Sequence, residues 1–241
     1  DELPSAPMSP EGSSYLSVLY NGMVHPFTIF PVKGVIWYQG EANVGRARQY
    51  SLLFQSLIAD WRKQWKQELS FYFVQLANYL RSQEIQPDSK WAALREAQSD
   101  ALSMEGTGMV SAIDLGVAHD IHPKNKQEVG RRLALLSLAN TYQRGTYDVP
   151  AFLEYRISGN KLILSFDCEV KTATGEPKGF IIAGPDQVFY QATATIQGKE
   201  VILESPEVEI PIAARYGWAD NPECNLYGTA GLPVAPFRTD K

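Results

Sequence analysis

Between residues 34 and 143, short apolar runs alternate with segments whose apolar residues recur at three- and four-residue steps. GVIWYQ (34–39) precedes Tyr50, Leu53, Phe54, Leu57, Ile58 and Trp61, which share one helical face. SFYFVQLAN (70–78) is aromatic and β-branched at consecutive positions, the pattern of a strand covered on both sides. Asp88 or Ser89 then caps a helix carrying Trp91, Leu94, Ala97, Ala101 and Leu102. GMVSAIDL (108–115) reads as a third strand, and Val129, Leu133, Leu136 and Ala139 or Asn140 mark a helix running to about Tyr142. Three strand–helix repeats predict right-handed crossovers and a parallel sheet with helices on both faces. Three strands are few beside the roughly five of an ordinary sheet. The segment before residue 34 is too short and Pro-rich to supply more. Residues 34–146 therefore read as part of a larger three-layer α/β domain, and residues 1–33 as a linker or extended segment.

From about residue 147 the pattern changes. YRISGNKLILSFD alternates about a Gly-Asn turn, a hairpin signal, and the runs that follow are short and broken by Gly, Pro and Asp. Residues 147–241 are expected to form a small antiparallel β unit, with 216–241 an ordered loop-like tail. Cys168 falls in an alternating strand and Cys224 in a Pro/Asn-rich loop, read as two unpaired thiols or one incidental disulfide.

A net charge of −5 with no concentrated Lys/Arg tract argues against nucleic acid as the partner. No apolar run approaches the roughly 18–20 residues that span a bilayer. The opening DELPSAPMSPEGSS lacks a basic region followed by an apolar one, so no signal peptide is expected within these residues. A mature secreted protein would have lost its signal, so the address stays open on that ground.

Ligands of open parallel sheets bind beyond the carboxyl ends of the strands, and this chain loads those ends with polar groups. The first strand ends in Gln39-Gly40-Glu41-Ala42-Asn43, the second in Gln75, Ala77 and Asn78, and the third in Asp114 followed by VAHDIHPKNK. A histidine acting as general base needs a carboxylate on one ring nitrogen and an acidic nucleophile on the other. Glu41 and His122 can serve as that pair if their loops share a crevice. Gly40 lets backbone approach a reacting centre, and Gln39 or Asn43 can donate to an oxyanion. Two other readings stand beside this one: a plain strand-ending turn with Glu41 as a helix cap, and a metal site built from His119, Asp120, His122 and Asp114. His25, in MVHPF, reads as a packing or loop histidine.

LYNGMVHPF, KGVIWYQGEAN, DWRKQW, FYFVQLANY, WAALREAQ, AIDLG and DIHPKNK, in that order, resemble the sialate O-acetylesterases of the SGNH (GDSL-like) hydrolase superfamily. RYGWADNPECNLYGTAGLPVAPFRTD resembles the end of the same family. The resemblance implies a cofactor-free, metal-free serine esterase that removes O-acetyl groups from sialic acid or a related acetylated sugar. It implies His122 as the base, Glu41 as its acid partner with Asp120 second, and Gln39, Gly40 and Asn43 as oxyanion or substrate contacts. It also implies a periplasmic or secreted address. The family's nucleophile lies in a Gly-Gln-Ser-Asn-type motif well before WYQGE, and no such motif occurs here. Ser13, Ser14 and Ser17 lack a strand–serine–helix setting. The nucleophile is thus expected from an N-terminal part of the same protein, and the chain alone is expected to be inactive. The open sheet edge invites self-association. The rival readings are a non-catalytic carbohydrate-binding or partner subunit on the same scaffold, and an acetyl esterase acting on xylan or another polysaccharide.

Overall fold

The computed structural model describes Tyr15 and residues 17–240. Ser13 and Ser14, and the linker expected over residues 1–14, lie outside the described residues. Where an extended segment was expected, Tyr20–Val24 forms a π-helical turn and His25–Phe27 a 3-10 turn, with the His25 ring 6.0 Å from that of Tyr20.

Three parallel strands follow, β1 (Gly34–Trp37), β2 (Ser70–Gln75) and β3 (Thr107–Ser111), in the spatial order β1-β2-β3. The consecutive apolar residues of β2 divide between two faces, as the pleat requires. Phe71 and Phe73 join a cluster with Tyr50, Phe54 and Ile58 of α1 (Ala47–Trp65) and Trp91, Leu94 and Ala97 of α2 (Lys90–Ser99). Tyr72 and Val74 pack on the other side against Val129, Leu133 and Leu136 of α3 (Lys126–Asn140). The helix ends follow local chemistry. Lys66 closes α1 in the left-handed conformation (φ 53°), its N–H donating to the carbonyls of Arg62 and Lys63. Ser89, not Asp88, caps α2 by accepting from the Ala92 N–H, and Asn125 caps α3 by accepting from the Glu128 N–H. Ile36 of β1 is 67% exposed, because α3 packs on β2 and β3 and leaves that face of β1 bare.

The second half is a β sandwich. One antiparallel sheet runs β4 (Phe152–Ser158), β5 (Lys161–Phe166), β10 (Glu200–Glu204), β9 (Thr193–Gln197). The other runs β13 (Phe237–Arg238), β11 (Ala213–Tyr216), β7 (Phe180–Ala183), β8 (Phe189–Gln191). Leu162, Leu164, Val201 and Leu203 of the first sheet share one core with Phe180, Ile182, Ala214 and Tyr216 of the second. A two-stranded ribbon joins β6 (Val170–Thr172) to β12 (Leu226–Gly228). The tail is therefore more than loop: it supplies β12 and β13, and Phe237 stacks on Phe152 with ring centroids 4.4 Å apart. Cys168 lies at a bend between β5 and β6 rather than in a strand, and both cysteines are free thiols.

The two halves are bolted together. Arg238 makes paired hydrogen bonds to the Glu96 carboxylate (3.0 and 2.8 Å), and Arg215 and Trp218 both donate to the Pro87 carbonyl. Asp220 accepts from Ser89 and Gln86 at 2.6 and 2.7 Å.

Candidate active site at the carboxyl end of the parallel sheet

Because the three strands are parallel and in register, their exits open at one end of the sheet. β1 and β3 are the outer strands, so their loops stand two strand spacings apart, about 10 Å, with the exit of β2 between them.

At the β1 exit the chain turns through Gly40 into a 3-10 turn, Glu41–Asn43. Gly40 is buried at φ 156°, and a Cβ there would lie 3.2 Å from Gln98 Nε2 and 3.4 Å from the Leu76 side chain. Gln98 fastens this exit to the next one. Its Nε2 donates to the carbonyls of Gln39 (3.2 Å) and Val74 (3.1 Å), and its Oε1 accepts from the Leu76 N–H (2.9 Å). Tyr50 donates a further hydrogen bond to the Gln39 carbonyl. The Gln39 and Asn43 side chains engage each other, Gln39 Nε2 donating to Asn43 Oδ1 at 2.8 Å. Glu41 is half-buried, and its carboxylate makes no hydrogen bond or ion pair among the described residues.

At the β2 exit, buried Gln75 is structural: it donates to the Arg95 carbonyl and to Ser99, and accepts from Ser111. Asn78 faces both neighbouring segments. Its Nδ2 donates to Asn221 Oδ1 (2.6 Å) and its Oδ1 accepts from the Gly116 N–H (2.7 Å).

At the β3 exit, Asp114 is gripped by Arg132 of α3 through paired 2.7 Å bonds and accepts a third from Tyr227. The loop then carries His119, Asp120 and His122. Asp120 Oδ1 accepts from the His122 backbone N–H at 2.9 Å, which holds its carboxyl below the usual range. The same oxygen lies 3.7 Å from His122 Nδ1, beyond hydrogen-bond length. The His122 side chain is 85% exposed, and His119 is exposed as well. Among the described residues no group of three or more His, Cys, Asp or Glu is placed to hold a metal ion. Asp114, which the metal reading needs, is committed to Arg132 and Tyr227.

The structure thus brings His122 beside Asp120 and leaves Glu41 without direct contact to either. Two observations nevertheless draw the outer loops together. Ile121, next to His122, packs on the same apolar cluster as Tyr38 and Val44, which flank Glu41. Lys126, just past the His122 loop, lies over the Tyr38 ring, 4.8 Å from its centroid. Burial, with the Glu41 charge as a smaller cause, pushes the Tyr38 hydroxyl up to about 12. The serine at the end of β3 is not free to attack: Ser111 is buried and donates to Gln75.

Sequence reasoning missed Arg95, Gln98, Asn221 and Tyr227. For the first two a signal existed, since both fall on the buried face of α2 with Trp91 and Leu94. Asn221 and Tyr227 lie in a segment read only as tail, 143 residues from Asn78 and 113 from Asp114.

Gly116 shows how closely the loop is seated. A Cβ there would lie 1.8 Å from the Asn78 carbonyl oxygen, and backbone cannot yield cheaply. Gly116→Ala is expected to cost about 2 kcal/mol or more, lowering Tm by roughly 4–8 °C. Gly130 in α3 has nothing within 4 Å of the added carbon, so Gly130→Ala should raise Tm slightly. Thermal unfolding of the two variants checks the pair. Equal shifts would mean that Asn78 does not hold the loop.

A parallel sheet between helical layers, with histidine, carboxylates and amides gathered at its carboxyl end, defines an α/β protein of the SGNH-like carbohydrate-esterase fold. The profile of the family described as carbohydrate esterase, sialic acid-specific acetylesterase, matches residues 10–139, more than half of the chain, and the chain belongs to that family. It is 30% identical to the sialate O-acetylesterase of Mus musculus over 257 residues, covering 94% of this chain and 48% of the relative. The Homo sapiens sialate O-acetylesterase is 28% identical over 258 residues, 94% of this chain and 49% of its own. The crystal structure of a carbohydrate acetylesterase from Xanthomonas citri superposes with a TM-score of 0.87 at 44% identity, covering 92% of this chain and 54% of that one. The chain thus spans about half the length of these relatives.

Proposed function

We propose that this chain is the part of a serine carbohydrate esterase that supplies the base, its carboxylate and the wall of the cleft, and that the hydroxyl nucleophile comes from a segment outside these residues. The observation that carries this reading is the convergence of the Glu41 and His122 loops on one end of the sheet, where the strand-end serine, Ser111, is buried and bonded to Gln75. His122 takes the proton from the incoming serine as its oxygen attacks the acetyl carbonyl. His122 then returns that proton to the departing sugar oxygen, and water, activated in the same way, releases acetate. Amides of Gln39, Gly40 and Asn43 lie near the developing oxyanion.

Glu41 is preferred as the orienting carboxylate, with Asp120 second. An orienting carboxylate works best half-buried with lone pairs to spare. Glu41 meets both conditions, whereas Asp120, also half-buried, is already occupied by the His122 backbone N–H. The outer edge of β1, where Ile36 is bare, is the place for the nucleophile-bearing strand to pair; without it the edge is open to a second copy. The substrate is an O-acetylated sugar, with sialic acid first. The likeness to a carbohydrate acetylesterase favours acetylated polysaccharide as the second reading. A periplasmic or secreted address accords with such substrates.

The test is turnover. The purified chain alone should hydrolyse neither 4-nitrophenyl acetate nor 9-O-acetyl sialic acid above background. Adding the nucleophile-bearing segment should restore activity, and side-by-side assays on 9-O-acetyl sialic acid and acetylated xylan rank the two substrates. Robust turnover by the chain alone would overturn the proposal.

A further inference from the structure

The loop that presents His122 is pinned from two directions, and one of the pins belongs to the β sandwich. Asp114 stands where β3 opens into the loop, and Arg132 stands on the helix into which the loop closes. Their paired 2.7 Å bonds tie the loop's two ends together, and Arg132 also donates to the Ser111 carbonyl at 2.7 Å. Glu128, held to about 2 by Arg131 and Arg132, fixes the guanidinium from the far side. A planar guanidinium bonded in this way sets both the distance and the angle between its partners. Tyr227 of β12 completes the arrangement, its hydroxyl donating to Asp114 Oδ2 at 3.0 Å. Tyr227 is itself held by pairing of β12 with β6 and by a bridge to Pro233.

We infer that Tyr227 is a positioning residue: through Asp114 and Arg132 it lets the β sandwich fix the loop that carries His122. The Asp114 carboxylate is 15% exposed, so loss of the tyrosine hydroxyl leaves a lone pair with little solvent to replace it. The carboxylate then has freedom to turn against Arg132, and the entrance of the loop turns with it. Asn221 reaches the same loop independently, through Asn78 and Gly116. The sandwich therefore touches the candidate site at two points. The catalytic half of this inference rests on His122 being the base; the structural half does not.

The experiment compares amide hydrogen exchange in the wild-type chain and in Tyr227→Phe, Asp114→Asn and the double variant. In Tyr227→Phe, exchange over residues 112–125 should rise about tenfold while β5 and β10 stay within twofold of wild type. The double variant should exchange no faster than Asp114→Asn alone, because the hydroxyl acts through that carboxylate. Unchanged exchange over 112–125, or an equal rise in β5 and β10, would overturn the inference. In the assembly with the nucleophile-bearing segment, kcat of Tyr227→Phe should fall about tenfold with KM within twofold. An unchanged kcat beside faster loop exchange would also overturn it. Absence of any esterase activity in the wild-type assembly would instead count against the proposed function and leave the exchange result to decide this one.

Discussion

His122→Asn, in the chain assembled with the nucleophile-bearing segment, is expected to lower kcat/KM for acetyl ester hydrolysis by about a thousandfold or more. General-base catalysis contributes some 10²–10⁴-fold, and the loss also removes the proton donor to the leaving oxygen. Stability should barely move. The imidazole is 85% exposed, and its nearest charged partner, Asp120, keeps its hydrogen bond to the backbone N–H, which the substitution retains. A variant that unfolds like wild type and has lost turnover places the effect in the chemistry. Near-wild-type kcat/KM would remove His122 from the mechanism.

The largest stability effect is expected at Arg95, which is fully buried on α2. Its guanidinium donates to four backbone carbonyls, those of Leu76 and Ala77 at the β2 exit and those of Ala219 and Asp220 in the sandwich segment. No carboxylate lies within ion-pair distance among the described residues; four carbonyl dipoles hold the charge. Burial lowers its pKa to about 10, so the group remains charged at neutral pH. Arg95→Met fills much of the volume but leaves four carbonyls facing an apolar stem. Stranding buried polar groups in this way costs about 3–5 kcal/mol, which for a chain of this size is a fall in Tm of roughly 10 °C. The 219–221 segment should be the first to loosen. A Tm within 2 °C of wild type would show that water reaches these carbonyls.

Arg95 also marks where the sequence ceases to be legible. The parallel sheet and its helices were readable because burial on two faces writes itself into consecutive apolar residues such as Phe71–Val74, and burial on one face into the steps of Tyr50, Phe54 and Ile58. The sandwich was readable as antiparallel strands, since β4 and β5 flank a Gly-Asn turn and β10 alternates. That β13 completes one of its sheets and β12 a ribbon with β6 was not readable, because strands of two and three residues carry no period. At the site, Glu41, Asp120 and His122 stood out because polar groups at the ends of apolar strands have few structural reasons to be there. Tyr227 and Asn221 did not, since their partners lie more than a hundred residues away and only the folded chain brings them together. Their contacts also show that the sandwich is built into the carboxyl end of the sheet.

The claim on which the account turns is that Glu41, leaving the first strand, and His122, beyond the third, act as one unit. The most direct measurement is a double-mutant cycle on kcat/KM in the assembled enzyme, using Glu41→Gln and His122→Asn, with Asp120→Asn as the comparison. Groups that act together are strongly non-additive. Glu41→Gln should cost about 10³-fold or more, the double variant should be little worse than His122→Asn alone, and Asp120→Asn should cost about tenfold or less by weakening its charge-assisted hydrogen bond to the loop backbone. Near-wild-type activity in Glu41→Gln, with Asp120→Asn carrying the large loss, would contradict the account and pass the carboxylate's role to Asp120.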